Sequence, residues 1–388
     1  MKIAIFSNFL NHHQGEMCEA LYRLSQGQFR FVANTPIPED RLQLGYCDMN
    51  QYPYVIRAYE SDEQLEEAEQ WCLTSDVIIH GDAPDMYITK RMERGLPTFK
   101  YSERILKDGL IHALSPRARR NVFRGHTRYS RGPLYLLCAS AYTAMDFRRF
   151  GAYQDKAYRW GYFPKVKMYP DVDDVLHSKR KHSLLWVSRF IDLKHPEAAI
   201  AVAERLKKEG YDITLSMIGV GPRMERCEKM VRSKGLTDTV HILGAMSPEE
   251  VRAHMEQSEI FLFTSDRQEG WGAVLNEAMN SACAVVASHA IGSVPYLLRD
   301  GENGFIYRDG SVRDLYEKVK QLLDDSSQRE RMGRAAYDTL CHQWNAEEAA
   351  KRFIQLAEAI CAGEESPDLF ADDVCSKAPL LKDGWYKG

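Results

Sequence analysis

The run Ile260-Phe-Leu-Phe-Thr-Ser-Asp-Arg-Gln-Glu-Gly-Trp-Gly-Ala-Val-Leu-Asn-Glu277 holds a complete structural unit. Ile260 to Ser265 is apolar until it turns polar at its end, the pattern of a strand buried on both faces of a parallel sheet. A loop, a Gly-Trp-Gly turn and a short apolar helix follow, with Val274, Leu275 and Ala278 turned inward. In an open α/β sheet the ligand crevice lies outside the carboxyl ends of such strands, and a helix N-terminus there offers N–H groups to an anion. Glu269 lies in the loop, and Glu277 falls about one and a half turns into the helix. A carboxylate at Glu277 suits the paired hydroxyls of a ribose, and Glu269 would face a second cluster of hydroxyls. The plainer reading is a loop acid followed by an ordinary helix acid. Gly270 and Gly272, on either side of Trp271, would let the backbone approach a ligand closely.

The same order of strand, loop and helix recurs upstream. Leu184 to Val187 reads as a strand, Ser188 to Lys194 as a loop, and Pro196 opens a helix that Gly210 ends. Arg189 and Lys194 share that loop. A planar fork and a point charge beside a helix N-terminus suit a diphosphate, although basic residues in loops are commonly just solvated. Asp212 to Ile218 leads into Gly219-Val-Gly221, half of a dinucleotide fingerprint, with Met224 where its third glycine would stand. A strand at Val240 to Leu243 ends in the turn Gly244-Ala-Met246, and Ser247-Pro-Glu-Glu250 is a capping box that opens the next helix. Strands at Ala284 to Ala287 and Gly304 to Tyr307 complete the series. Amphipathic helices then occupy Val312 to Leu323, Gln328 to Cys341 and Ala346 to Cys361.

The N-terminal half alternates in the same way, so it predicts a second doubly wound parallel sheet. Its strands fall at Lys2 to Phe6, Phe29 to Ala33, Asp76 to His80, Pro97 to Tyr101 and Leu134 to Cys138. The segment Ser7 to Gly15, with His12 and His13, reads as a loop before a helix from Glu16 to Leu24. Polar residues without periodicity from Lys165 to Arg180 predict a domain boundary there.

A chain of 388 residues is long for a single core, and two domains are the better expectation: 1–165, 182–345 and a final stretch 346–388. The composition is that of a globular protein, and the net charge of −4 argues against a general nucleic-acid binder. Nine cysteines with no C-x-x-C pair suit buried free thiols in a reducing compartment and imply no zinc site. The sequence shows neither a signal peptide nor a membrane span. The expected location is therefore cytoplasmic.

Taken together, Arg189 with Lys194, Gly219-Val-Gly-Pro222, Val240-His-Ile-Leu-Gly244, Glu269-Gly-Trp-Gly272 with Glu277, Val285-Val-Ala-Ser288 and Asp300-Gly-Glu-Asn-Gly304 stand in the order seen in another group of proteins. The chain resembles the GT-B retaining glycosyltransferases of family GT4, densely over 182–345 and in outline before that. The resemblance implies two Rossmann-like domains facing a cleft, with a C-terminal helix near 346–361 crossing back to the first. It implies transfer of a sugar, with retention, from a nucleoside-diphosphate-sugar donor to a glycan or lipid-linked acceptor. The nucleotide sugar is a substrate, so no cofactor is expected, and no metal. By the same resemblance Arg189 and Lys194 would hold the donor diphosphate, Glu277 the ribose and Glu269 the sugar hydroxyls. The turn at Gly244 to Met246 would take the base, and Gly15 would face the diphosphate from the N-terminal side.

Two departures from the family pattern matter. Many relatives carry a histidine after the strand equivalent to Pro97 to Tyr101, where this chain has Ser102-Glu103, so Glu103 is the candidate on the acceptor side. Ala282, Ala284 and Tyr296 replace a usual glycine, proline and glutamate. The alternatives are a nucleotide-sugar epimerase or hydrolase and a non-catalytic sugar-nucleotide-binding protein; a Rossmann dehydrogenase would need a fuller fingerprint. Finally, Arg117 to Arg131 holds six arginines and no acid. It reads either as a solvated surface loop or as a peripheral contact with an anionic membrane at its inner face.

Overall fold

The computed structural model describes residues 1–39 and 47–387. The chain divides into two α/β units, one of Met1–Lys165 with Trp344–Lys382, the other of Val166–Gln343 with the residues from Asp383 onward. The expectation that 346–388 stays together is thus corrected at its end, where the last residues return to the second unit.

In the first unit β1 (Ile3–Ser7), β2 (Phe29–Ala33), β3 (Val55–Arg57), β4 (Val77–His80), β5 (Thr98–Ser102), β6 (Leu134–Cys138) and β7 (Ala157–Arg159) form one sheet. The order is β3-β2-β1-β4-β5-β6-β7, and every pair is parallel. β1 and β6 are buried along their whole length, which is why they read as unbroken apolar runs. β3 and β7 span three residues each, too short to carry a periodicity, and the sequence reading misses both. The helix Ala346–Cys361 belongs to this unit and sets Phe353 against Phe99 and Trp160, with ring centroids 5.0 Å and 5.8 Å away.

The second unit has β8 (Arg180–Val187), β9 (Thr214–Ile218), β10 (Val240–Gly244), β11 (Ser258–Phe263), β12 (Ala284–Ser288) and β13 (Phe305–Tyr307) in the order β10-β9-β8-β11-β12-β13. All its pairs are parallel as well. This is the strand order of dinucleotide-binding sheets, and the direction of winding reverses between β8 and β11. Leu184, Trp186, Leu215, Met217, Ile260 and Leu262 build the core on one face. The capping box is present, Ser247 accepting from the Glu250 N–H while the Glu250 carboxylate accepts from the Ser247 N–H.

The polar stretch before β8 is more ordered than its composition suggests. It contains a helix, Val172–Ser178, capped by Asp171. Next to it Lys179 is half-buried, and its ammonium donates to the carbonyls of Ser281 (2.8 Å), Ser258 (2.9 Å) and Met255 (3.1 Å). A lysine satisfied by main-chain oxygens anchors the segment where an apolar residue would ordinarily do so. Among the described residues no helix is long and apolar enough to cross a membrane.

The glycines after β9 serve the packing of backbone on backbone. A Cβ at Gly219 (φ +132°) would lie 1.9 Å from the Ser188 carbonyl oxygen, and one at Gly221 (φ +154°) 2.5 Å from that of Phe190. Gly219→Ala should therefore lower unfolding stability by roughly 2–3 kcal/mol, since it combines a glycine-only conformation with a clash. Denaturant unfolding would show this, and an unchanged midpoint would contradict it.

Candidate active site

Lys194 and Glu269 stand on the loops that leave β8 and β11, on the two sides of the winding reversal. Their side chains form an ion pair, and both are mostly buried. The two loops are also stitched through the backbone. Trp186, on β8, donates its indole N–H to Thr264 Oγ1 (2.9 Å), and that hydroxyl donates to the Lys194 carbonyl (2.6 Å). The Asp266 N–H donates to the Leu193 carbonyl (2.9 Å), and the Asp266 carboxylate lies 3.0 Å from His195 Nε2. Thr264, Asp266 and His195 thus fix the geometry of the pair, and the sequence reading gives none of them a part in the site. Asp266 did carry a signal. It accepts from the Gln268 N–H two residues on (2.8 Å), the local bond that makes aspartate a turn residue.

Arg189 shares the Lys194 loop but is exposed, and its guanidinium has no partner among the described residues. Glu277 lies one turn inside the helix Val274–Asn280. Its carboxylate has no hydrogen bond or ion pair among the described residues, and burial raises its pKa above the usual carboxylate range, with nearby Arg252 pulling the other way. A half-buried acid without a donor is an unmet acceptor. Two cations and an acid on adjoining loops, with a second acid in the helix that follows, can bind an anion together with a set of hydroxyl groups.

Several residues expected at the site do other work. Trp271 is fully buried, donates to Asn276 Oδ1 (2.9 Å) and has its carbonyl held by Ser293 Oγ (2.6 Å). Its ring supports the turn from within the core. Gly272 has φ +82°, and a Cβ there would lie 2.3 Å from the Phe263 ring, so its conformation and this contact require glycine. Gly219 is explained by the Ser188 carbonyl, as above. Gly270 is buried and Met246 half-exposed at the end of β10. The loop read over Ser7 to Gly15 is corrected: the first helix runs His12–Leu24, so Gly15, His12 and His13 lie within it. The Gly15 N–H is already given to the Asn11 carbonyl (3.1 Å). Asn11 caps this helix through its side chain, which explains its early start.

In the first unit Glu103 follows β5. It accepts from the Tyr162 hydroxyl (2.6 Å) and forms an ion pair with Lys107. Arg104 turns instead to buried Asp146 (3.4 Å). The Tyr162 ring stacks on His13 and on Tyr101 at centroid distances of 5.5 Å and 6.3 Å. Ser7, His13, Tyr101, Trp160 and Tyr162 line a small cavity of about 40 Å³ at the carboxyl edge of β1 and β5.

Residues 171–339 match the family model of the glycosyl transferases group 1. Over 153 residues the chain is 33% identical to alpha-D-kanosaminyltransferase of Streptomyces kanamyceticus, covering 39% of each chain. Over 169 residues it is 29% identical to D-inositol 3-phosphate glycosyltransferase of Corynebacterium aurimucosum, 42% of this chain and 39% of that one. The chain thus spans about two fifths of the curated relatives it matches. Among solved structures, that of Anabaena Alr3699/HepE in complex with UDP superposes with a TM-score of 0.68 at 15% identity, over 92% of this chain and 100% of that one. WaaG, a glycosyltransferase involved in lipopolysaccharide biosynthesis, gives 0.58 at 13% identity, over 93% and 100%. These likenesses establish the fold.

His195 adopts a left-handed conformation (φ 45°, ψ 53°), which costs a non-glycine residue roughly 1–2 kcal/mol. The hydrogen bond to Asp266 offsets part of that cost and raises the pKa of His195 above 6.5, against the effect of burial. A raised histidine pKa stabilises the fold fully below the unfolded value and ceases to do so as pH rises through the folded value. The gap in melting temperature between the unmodified protein and Asp266→Asn should therefore narrow from about pH 6 to about pH 9. A gap constant with pH would show that the pair does not titrate.

Proposed function

We propose that the chain, whose residues 171–339 match the family model of the glycosyl transferases group 1, is a glycosyltransferase moving a hexose-type sugar, with retention, from a nucleoside-diphosphate donor to a glycan or lipid-linked acceptor. The observation that carries this reading is the set at the winding reversal: Lys194 paired with Glu269, Arg189 open, Glu277 without a donor. A donor diphosphate draws Lys194 and Arg189 to its oxygens. That frees Glu269 to accept from sugar hydroxyls, while Glu277 accepts from the ribose and the Gly244 to Met246 turn meets the base. As the glycosidic bond breaks, charge gathers on the departing diphosphate, and preorganised cations favour that state more than the ground state. Glu103, oriented by Tyr162 and Lys107, is the candidate that meets the acceptor hydroxyl in place of the family's histidine.

The Anabaena structures hold UDP, and UDP with glucose, so uridine-diphosphate sugars are the first donors to test in a thermal-shift panel. A donor at ~100 times its dissociation constant should stabilise by roughly 2.7 kcal/mol. With the donor found, Glu277→Gln should raise KM with little change in kcat, because the ribose does not change during the reaction. Lys194→Ala should lower kcat by on the order of a hundredfold, and Arg189→Lys should recover only part of the activity, since an ammonium cannot form the bidentate fork. Nucleotide release without any acceptor would favour an epimerase or hydrolase; donor binding without turnover would favour a binding protein.

The partner on the acceptor side is proposed to lie at an anionic membrane surface. The arginine stretch is a helix, Pro116–Gly125, with a short turn on each side, which corrects the alternative of a simple surface loop. Arg117, Arg119, Arg120, Arg124, Arg128 and Arg131 are all exposed. Ile111, Leu114 and Phe123, nearby in the chain, expose 75%, 73% and 58% of their surface. Cations with bare apolar side chains suit a lipid interface, each cation contributing about 1 kcal/mol near an anionic surface. Replacing Arg119, Arg120 and Arg124 by Glu should abolish co-sedimentation with anionic liposomes at low salt. Serine at Ile111, Leu114 and Phe123 should remove whatever binding survives high salt. An unmodified protein that stays in the supernatant would end this reading.

A further inference from the structure

The loop from Thr264 to Gly272 is held on one side by the Lys194 loop, as described. On its other side it meets Asp383–Tyr386. The Arg267 guanidinium lies 3.5 Å from the Asp383 carboxylate. The same short segment also grips the loop that follows β12. There the His289 Nδ1 accepts from the Asp309 N–H (2.9 Å), which leaves the ring proton on Nε2 to donate to the Asp383 carbonyl (3.1 Å). The Tyr386 ring stacks on His289 at 5.7 Å, and Trp385 meets it edge-on at 6.2 Å. The Tyr386 hydroxyl is fixed in turn, 2.6 Å from the Ile306 carbonyl and 3.2 Å from the Asp300 carboxylate.

Both loops converge on Glu269. Arg267 is two residues before it, and the Gly292 N–H, three residues after His289, donates to the Glu269 carbonyl (3.2 Å). We infer that Asp383–Tyr386 is a positioning clamp for Glu269: it fixes both loops from outside so that the carboxylate stands where it can meet Lys194 and the donor sugar. The role assigned to the sugar rests on the function proposed above; the clamp itself does not. Through Arg267 and His289 the segment restricts the loops without touching the reacting atoms. Loss of the clamp lowers the fraction of molecules with Glu269 in place, and apparent donor affinity falls by that same fraction.

The experiment compares Asp383→Ala, Tyr386→Ala and the milder Tyr386→Phe with the unmodified protein, and uses Lys387→Ala as a control. Hydrogen exchange followed by mass spectrometry reads the amides of 264–272 and 289–293 without any ligand. Exchange there should speed up by about tenfold in the two alanine variants and stay unchanged in peptides of β9 and β10. With a sugar nucleotide that the unmodified protein turns over, donor KM should rise by about fivefold at nearly constant kcat. Tyr386→Phe, which keeps the stack on His289, should recover part of the change. So should Arg267→Asp combined with Asp383→Arg, which restores the ion pair in reverse. A lower melting temperature with unchanged exchange over 264–272 would make the segment a mere cover and overturn the clamp. Faster exchange in a protein that transfers no sugar would leave the clamp standing and refute the glycosyltransferase reading instead.

Discussion

The ion pair of Lys194 with Glu269 ties together the two loops at the centre of the second unit, and it is a product of topology. The two residues are 75 positions apart in the chain. They meet because β8 and β11 are neighbours in the sheet while their following helices wind in opposite directions, which leaves the two loops side by side with no helix between them. A lysine and a glutamate that are both mostly buried would be costly alone; each offsets the desolvation of the other. Around the pair, polar bonds from Trp186, Thr264 and Asp266 run from strand to loop and from loop to loop. The two loops that carry the pair are therefore tied to strand and to each other, and each charge satisfies the other.

The first unit solves a different problem on the same kind of sheet. At the carboxyl edge of β1 and β5 it places rings, with Tyr162 stacked on both His13 and Tyr101 and Glu103 bonded to the Tyr162 hydroxyl. Flat aromatic faces next to a carboxylate suit a polyhydroxylated ligand, whose C–H faces pack on rings while its hydroxyls seek acceptors. Lys107 holds Glu103 in place through an ion pair, a role the neighbouring Arg104 does not take because Asp146 already engages it in the core.

Much of this was legible before any coordinates. β1, β2, β6 and β12, and the helix Ala346–Cys361, fall close to the apolar runs that announce them, because a strand covered on both faces must be apolar throughout. The capping box and the proline at the start of Pro196–Lys208 mark helix ends through local bonds alone. The edge strands β3 and β7 carried too few residues to show a pattern. The helix Val172–Ser178 was hidden because a lysine whose ammonium is held by main-chain carbonyls follows it, and hydropathy counts such a residue as solvated.

At the site the division is sharper. The residue types of Arg189, Lys194, Glu269 and Glu277 pointed from sequence alone to an anion and hydroxyl groups, since charge and hydrogen-bonding capacity belong to each side chain. What the glycines and the tryptophan do could not be read that way. Gly219 and Gly272 answer to the Ser188 carbonyl and the Phe263 ring, and Trp271 points into the core, because a residue's neighbours across the fold decide which way it faces. That Arg189 stands open while Lys194 is paired, and that Asp383 reaches Arg267, are likewise facts of tertiary structure. Sequence determined the chemistry available and the order in which it is strung. Only the folded chain decided which groups meet, because contacts between residues far apart in the chain depend on strand order and packing, which no local pattern encodes.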